Sequence, residues 1–546
     1  MSDITLPPME YNLWGTPEES KPLPAAVKKI TKSLFGAKGN GGASLPAEKI
    51  RLPQSGITPV QLRELGKIVG DNYVSQEHEQ RLRRSRGKSY PDLLKWRTGE
   101  TLSAPDAVIA PKTEAEVLRI LKYCSEEKIA VVTFGGGTSV TGGISPLAGG
   151  MKSVLSLDVN RFCAVEDVDR QSMLATLGAG LTGPHAELLL AQYGLQLGHF
   201  PQSFPYATIG GYAVTRSSGQ SSAGYGRFSE MVRSLTVVTP QGIMEVGRQA
   251  PSSAAGPDLR ELIMGSEGIF GVVTRVRVRV HPIPQTKRYE AFSFPDFKTG
   301  CRALRAVEQE KTGPTVIRLS DEIESAVNLA STDSIGETDA KESGCVCITM
   351  YEGSAPHTAS RHLETRNLLL KMGAVSLGEG PARQWEKGRF KAPVLRDALL
   401  DGAMICETLE TATDWENIVH LRAAAAEALG THLPTTPALI MCHVSHVYPE
   451  GASLYFTVIA GQSKDPVGQW EKAKAAVCRA IEANGGTVSH HHGVGTDHLP
   501  YMEEEIGPLG IKILRAVKDA LDPVGIMNPG KLIPTEEKEK HDEAGG

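Results

Sequence analysis

From Pro105 onward, apolar and polar positions fall into short runs whose period changes from segment to segment. AVIAPK, IAVVTF, SVLSLD, MLATLGAG, SLTVVTP, GIMEVG and VVTRVRVRV read as strands. EAEVLRILKYCSEEK repeats its apolar positions every three to four residues and reads as a helix, as does Gly183–Gly194. Strand, helix, strand and glycine loop open an α/β or α+β arrangement. Pro282 and Pro284 in HPIPQ close this block and place a boundary at about residue 284. Beyond it, FSFPDF, VIRLSD, CVCITMYEG and ASLYFTVIAG predict strands. Arg302–Gln309, Ser360–Met372, Asn417–Leu429 and Trp470–Asn484 predict helices. Before the first block, residues 1–101 mix Pro-rich coil with a short helix at Pro59–Gly70 and a basic stretch, Arg81–Lys88. After the second, residues 481–546 carry SHHHGVG, a helix near Gly510–Leu521 and PVGIMNPGKL. No repeat of fixed period is present.

Composition narrows the function classes. The 546 residues are 40% apolar and 22% charged, with 58 Lys and Arg against 63 Asp and Glu, a formal charge of −5. Without a basic excess, and with aromatics at 5%, a nucleic-acid partner has no electrostatic or stacking support. Eight cysteines occur without a CxxC pair, so they are expected as reduced thiols. MSDITLPPMEYNLWG lacks the pattern of a secretory signal, and no run of 18 apolar residues predicts a membrane span. The charged EKEKHDEAGG is expected to fray and carries no peroxisomal tripeptide, so the cytoplasm is the expected compartment.

Three polar, glycine-rich segments suggest a large cofactor. FGGGTSVTGG follows a strand, and consecutive glycines can turn backbone N–H groups toward one point, as a pyrophosphate requires. It is neither a phosphate-binding GK[ST] loop nor GxGxxG, and alone it serves equally as a tight turn. PQSFPYATIGGYAVTRSSGQSSAGYGRF is too polar for a core and too long for a hairpin. MGSEGIFGVVT places Gly265, Gly268 and Gly271 just before a strand. In this order the three resemble the FAD-binding domain of vanillyl-alcohol-oxidase-type flavoproteins over residues 102–283. The resemblance implies an α+β protein: a two-part FAD-binding domain and an α+β cap at 284–480, with residues 481–546 returning to the FAD domain. It also implies FAD contacts from Thr133, Phe134, Gly135, Gly136, Gly137, Thr138 and Ser139. Further contacts are implied for Gln202, Ser203, Phe204, Pro205, Tyr206, Ala207 and Thr208, and for Thr215, Arg216, Ser217 and Ser218. Glu267, Gly268, Ile269, Phe270, Gly271, Val272 and Val273 would complete the site. Relatives that attach FAD covalently use a histidine in the first loop. Thr138 stands in that neighbourhood here, so a non-covalent flavin is expected.

The sharpest local feature is Ser489-His490-His491-His492-Gly493-Val494-Gly495. Adjacent histidines cannot all face one way, so this run alone makes no metal cage, and no metal ligand is assigned. Imidazole does suit proton transfer near neutral pH. SHHHGVG and CHVSHVYPEGASLYFT, with FGGGTSV, TIGG, MGSEG and VIRLSD in the same order, resemble the alkyldihydroxyacetonephosphate synthase family. That family exchanges the acyl chain of an acyl-dihydroxyacetone phosphate for a long-chain alcohol in ether lipid synthesis. Its flavin acts as an electrophile, with no net redox change. The resemblance implies Tyr455 as the acid/base for the substrate's carbon-bound proton and His491, with His490 and His492, as the groups activating the alcohol. It gives Arg318 and Arg396 to the anionic substrate, a role suited to a planar guanidinium. Read without the family, Tyr455 is a core tyrosine, Arg318 a buried ion-pair partner and Arg396 a surface pair with Asp397.

The rival reading is an FAD-dependent D-2-hydroxy-acid dehydrogenase of the D-lactate or D-2-hydroxyglutarate type. Metal-using members of that branch carry two strand histidines and a Glu before HGxG. Here His446 stands for one histidine, Tyr455 occupies the region of the other, and His491 replaces the Glu, which weakens a hard divalent site. Zinc on His446 and His491 stays open. A non-catalytic flavin-binding protein is a third reading, opposed by the ionisable Tyr, His and Arg set. A small-molecule or lipid-phosphate substrate is expected, and the family adds a homodimer and peripheral membrane association as expectations. His443 and His446 depart from the ether-lipid pattern, which leaves the exact substrate open.

Overall fold

A computed structural model describes residues 2–534 except 21, 24, 40, 99–102, 248–249, 328–343 and 434–437; the EKEKHDEAGG tail lies outside the described residues. Three sheets carry the architecture. In the first, Ile129–Phe134, Ser153–Asp158 and Ala107–Ile109 run parallel, and Val74–Ser75 pairs antiparallel at the far edge. Every residue of SVLSLD is buried, so the adjacent Val154 and Leu155 put apolar side chains on opposite faces, as a strand covered on both sides allows. The second sheet is antiparallel, in the order Val165–Asp169, Leu174–Gly178, Val272–Arg279, Val232–Thr239, Gly242–Gly247.

The helix Glu114–Glu127 is started by Thr113, whose hydroxyl accepts the Glu116 N–H. Its buried Val117, Ile120, Leu121 and Cys124 share one core with Ile129 and Val131 of the first sheet and Val238 and Val272 of the second. One amphipathic helix thus fastens the two sheets together.

His281–Pro282 pairs with Leu195–Gln196, and the next strand, Thr286–Phe294, already belongs to a third, seven-stranded antiparallel sheet. Its order is Val375–Gly378, Thr286–Phe294, Cys345–Gly353, Val316–Ser320, Leu439–Val447, Gly451–Gly461, Met404–Asp414. Strand period assigns its two faces. Ile317, Leu319, Leu454, Phe456 and Val458 pack among the helices Phe297–Gln309, Ile418–His432 and Pro466–Ala483. Arg318, Ser320, Tyr455, Thr457 and Ile459 point the other way, into a cavity.

The ends of the chain return to the first sheet. The helix Met502–Leu521 is broken at Gly507 (φ 73°) before Pro508, so it is longer than the expected Gly510–Leu521 and kinked. Beyond it the Val131 N–H donates to the Ile526 carbonyl at 2.8 Å, and the Asn528 N–H to the Val131 carbonyl at 2.8 Å. The basic stretch Arg81–Lys88 is largely interior. Arg84 forms a buried ion pair with Asp158 at 2.6 Å, and the Lys88 ammonium donates to the carbonyls of Glu10 and Tyr11. All eight thiols are free, and only Cys163 is exposed. Among the described residues no helix is long and apolar enough to cross a membrane.

Candidate active site

A cavity of about 1100 Å³ lies between the glycine-rich segments and the seven-stranded sheet. Thr133, Gly135, Gly136, Gly137, Thr138 and Ser139 line it from the first segment, and Gln202, Ser203, Ala207 and Thr208 from the second. Thr215, Ser217, Ser218, Glu267, Gly268, Gly271 and Val273 complete that wall. The segments touch backbone to backbone: a Cβ on Gly136 would stand 2.1 Å from the Tyr206 carbonyl oxygen, so only glycine permits the approach. Gly137 also sits at φ +68°. Thr133 Oγ1 and Gln202 Nε2 are buried without a partner among the described residues. These unpaired polar atoms on a glycine-built wall fit the hydroxyls and heteroatoms of a dinucleotide.

Other residues of those segments stand behind the wall. Phe134 is buried beneath Gly137 with Arg84 over its ring. Phe204 stacks on Phe390, and Tyr206 packs edge-on against Trp14 and donates its hydroxyl to Glu19 at 2.7 Å. Pro205 lies between them, off the lining. Ile269, Phe270 and Val272 belong to the cores of the two small sheets, because strand alternation sends Val272 inward where Val273 faces the cavity. Arg216 faces a smaller neighbouring cavity of about 310 Å³, where His490 also lies.

Of the residues expected to do chemistry, Arg318, Arg396, Tyr455, His491 and His492 line the main cavity, and His490 does not. Arg396 is not a surface residue. Only 7% exposed, it donates to the Lys88 carbonyl at 2.6 Å and to Asp397 at 3.2 Å, and its Nη2 is buried unpartnered among the described residues. Its helix Ala392–Asp401 packs inward, where Leu395 and Leu399 join the core of the large sheet. Arg318 donates to Glu324 at 2.7 Å and lies 3.1 Å from His443 Nδ1, so the ion-pair reading of this residue also holds. Burial opposes the Glu324 charge, yet His443 and Arg318 bring its pKa down to about 2.

Two carboxylates organise the histidine loop: Glu410, which the sequence did not single out, and Glu267, expected only as a cofactor contact. Glu410 accepts the backbone N–H groups of His490 (2.6 Å), His491 (3.1 Å) and His492 (2.8 Å), plus the Ser489 hydroxyl at 3.0 Å. Burial works against its charge, but the loop's imidazoles and N–H groups hold it well below the usual carboxylate range. Glu267, at φ 50°, accepts the N–H of Val494 and, at 2.8 Å, that of Gly495, tying the third glycine segment to the same loop. Burial keeps all three imidazoles neutral near pH 7: His490 and His491 are shifted down, and His492 falls to about 3. Burial also pushes the Tyr455 hydroxyl up to about 12. The Tyr455 ring stacks on His443 at 5.0 Å and lies 6.1 Å from His491 and 5.6 Å from His492.

His443 and His446 are three apart, a spacing that in a regular strand faces opposite sides. The register slips between Val444 and His446, leaving Ser445 as an extra residue, and both histidines therefore reach the cavity. Cys406 and Thr408 of the strand Met404–Asp414 line the cavity too, but Glu407 and Thr411 break any alternation of apolar and polar positions that could have marked them.

Residues 105–247 match the family model described as FAD binding domain, and residues 283–532 that described as FAD linked oxidases, C-terminal domain. An alkyldihydroxyacetonephosphate synthase of Dictyostelium discoideum is 32% identical over 520 residues, covering 92% of this chain and 85% of that protein. A solved alkyldihydroxyacetonephosphate synthase structure superposes with a TM-score of 0.81 at 28% identity, covering 96% of this chain and 98% of that one. A mitochondrial D-lactate dehydrogenase (cytochrome) of Arabidopsis thaliana is 27% identical over 510 residues, covering 91% of this chain and 83% of that protein. The fold is the expected α+β one, a two-part FAD-binding domain of the vanillyl-alcohol-oxidase type with an α+β cap.

Proposed function

The chain belongs to the alkyldihydroxyacetonephosphate synthase family, and from that membership we propose that it exchanges the acyl group of an acyl-dihydroxyacetone phosphate for a long-chain alcohol. The cofactor is FAD, held without a covalent link because Thr138 offers no histidine. When bound, FAD supplies an electrophilic centre for the substrate carbon and takes no net electrons.

One observation carries the proposal: Tyr455, His491, His492, Arg318 and Arg396 converge on the cavity that the glycine segments share. The buried Nη2 of Arg396 is the natural ligand for the substrate phosphate, and Arg318, fixed by Glu324, borders the same space. Tyr455 moves the carbon-bound proton. Its resting form carries a proton, so it is the acid half of the exchange. The imidazoles of His443 and His491, 5.0 and 6.1 Å away between ring centroids, are the neutral bases beside it. His491 and His492 take up the alcohol's proton on the loop that Glu410 holds in place.

A lipid substrate brings with it peripheral association with a membrane surface. That association, a homodimer and a cytoplasmic location are part of this proposal; vesicle flotation and sedimentation test the first two.

The deciding experiment mixes the FAD-containing protein anaerobically with acyl-dihydroxyacetone phosphate and a long-chain alcohol. Release of fatty acid with formation of the ether, and a flavin spectrum that returns to its oxidised form, is the expected result. Lasting two-electron reduction by D-lactate or D-2-hydroxyglutarate, without exchange, would overturn it in favour of a dehydrogenase.

A further inference from the structure

Between the histidine loop and the strand Leu439–Val447, three imidazoles face one another. His446, His490 and His491 each offer one ring nitrogen, and the three nitrogens lie within 4.8 Å of one another. Their ring centroids form a triangle with sides of 5.1, 5.1 and 5.1 Å. A tetrahedral zinc ion with bonds of about 2.0–2.1 Å holds its nitrogens about 3.4 Å apart and the imidazole centroids about 5.2 Å apart. The centroid triangle already has that size, and the nitrogens, within 4.8 Å of one another, would draw together around the ion.

In His446 and His490 the other ring nitrogen is occupied as in metal-bound histidines generally. His446 Nδ1 lies 2.9 Å from Ser445 Oγ and 3.1 Å from Ser453 Oγ. Its Nε2 is buried without a partner among the described residues. His490 Nε2 meets the Tyr448 hydroxyl at 2.6 Å, which leaves Nδ1 facing His491 Nδ1 at 2.9 Å. A hydrogen bond between His490 and His491 accounts for that contact but leaves the unpaired His446 nitrogen unexplained. Glu410 sets a carboxylate oxygen 3.6 Å from His491 Nδ1. Arg227 is the opposing charge, and its Nη2 is spent on the carbonyls of Arg216 and His490.

We propose that His446, His490 and His491 bind one zinc ion, with the fourth position open to the cavity that His446 and His491 line. Three neutral nitrogen donors favour zinc over magnesium or calcium, and an open position admits water or a substrate hydroxyl. The three adjacent histidines do not all face one way, as the sequence implies: His490 and His491 meet, and His492 is not part of the triad. The third ligand comes from a facing strand, and the bulge at Ser445 turns it inward. The site stands whether or not the chain makes ethers; with zinc on His491, His443 and His492 are the imidazoles left to accept protons.

The test uses the FAD-containing protein, stripped with a chelator, titrated with zinc alone against a chromophoric competitor, and measured by zinc X-ray absorption. One zinc per chain with a shell of three imidazoles is expected. His446→Gln should weaken binding by at least about 100-fold with FAD content and melting unchanged, whereas His492→Gln should bind as the parent does. Much less than one zinc per chain, an oxygen-only shell, or undiminished affinity in His446→Gln would overturn the site. Should His446→Gln lose FAD or fail to fold, the absorption spectrum of the parent protein decides alone.

Discussion

His443 and Tyr455 are register partners on adjacent strands, and their rings lie 5.0 Å apart, 25° from parallel. A stacked imidazole fixes the phenol ring without consuming its hydroxyl. Tyr455→Phe should therefore keep FAD and fold while lowering the exchange rate by about 10²- to 10⁴-fold, the usual worth of a positioned acid or base. Turnover measured alongside the flavin absorbance checks this; a rate within a few-fold of the parent would return Tyr455 to a packing role.

Arg396 lines the cavity from a buried helix, and one of its guanidinium nitrogens is buried without a partner among the described residues. Arg396→Lys keeps the charge but loses the planar fork, so it should lower kcat/KM for a phosphate-bearing substrate by about 10- to 100-fold. Steady-state kinetics on a substrate with the phosphate and on one without it separates phosphate binding from general damage, since only the former depends on the anion.

Glu410 serves three consecutive backbone N–H groups and one hydroxyl. Glu410→Ala leaves these donors buried without their acceptor, at about 1–3 kcal/mol for each group left unpaired. Hydrogen exchange at His490, His491 and His492 should accelerate ahead of the rest of the chain, and denaturant unfolding should show the loss in stability.

Lys88 is buried, and burial brings its pKa from 10.5 down to about 7. Between those values the unfolded chain binds a proton that the folded chain has released, so stability from this residue rises as the pH rises from 7 toward 10.5 and is lost below 7. The difference in unfolding free energy between the parent and Lys88→Met should grow across that window. A difference independent of pH would show that the lysine titrates normally.

Acid precipitation should release all the flavin into the supernatant, since Thr138 replaces a tethering histidine. Flavin retained in the pellet would contradict this.

Much of the scaffold was legible because it obeys simple periods. The helix Glu114–Glu127 and the strands Ile129–Phe134, Ser153–Asp158 and Val316–Ser320 follow from apolar spacing alone. The glycine segments were legible because backbone contact leaves no room for side chains. What escaped depends on events remote in sequence. Glu410 reads as one more strand carboxylate until the loop 80 residues later closes over it. Arg396 beside Asp397 reads as a surface pair, because nothing nearby reveals that Lys88 covers it. The inward turn of His446 rests on a one-residue slip that no periodicity contains.

The pairing of Val131 with residues 526–528 has a consequence for how the protein is made. The sheet beneath the first glycine loop stays unfinished until residues 526–528 leave the ribosome. At about 5–20 residues per second, that wait is on the order of 20–80 s after Val131 is synthesised. Cofactor capture is therefore a late event in the life of each new chain, and a truncated product should emerge colourless however intact its glycine loops.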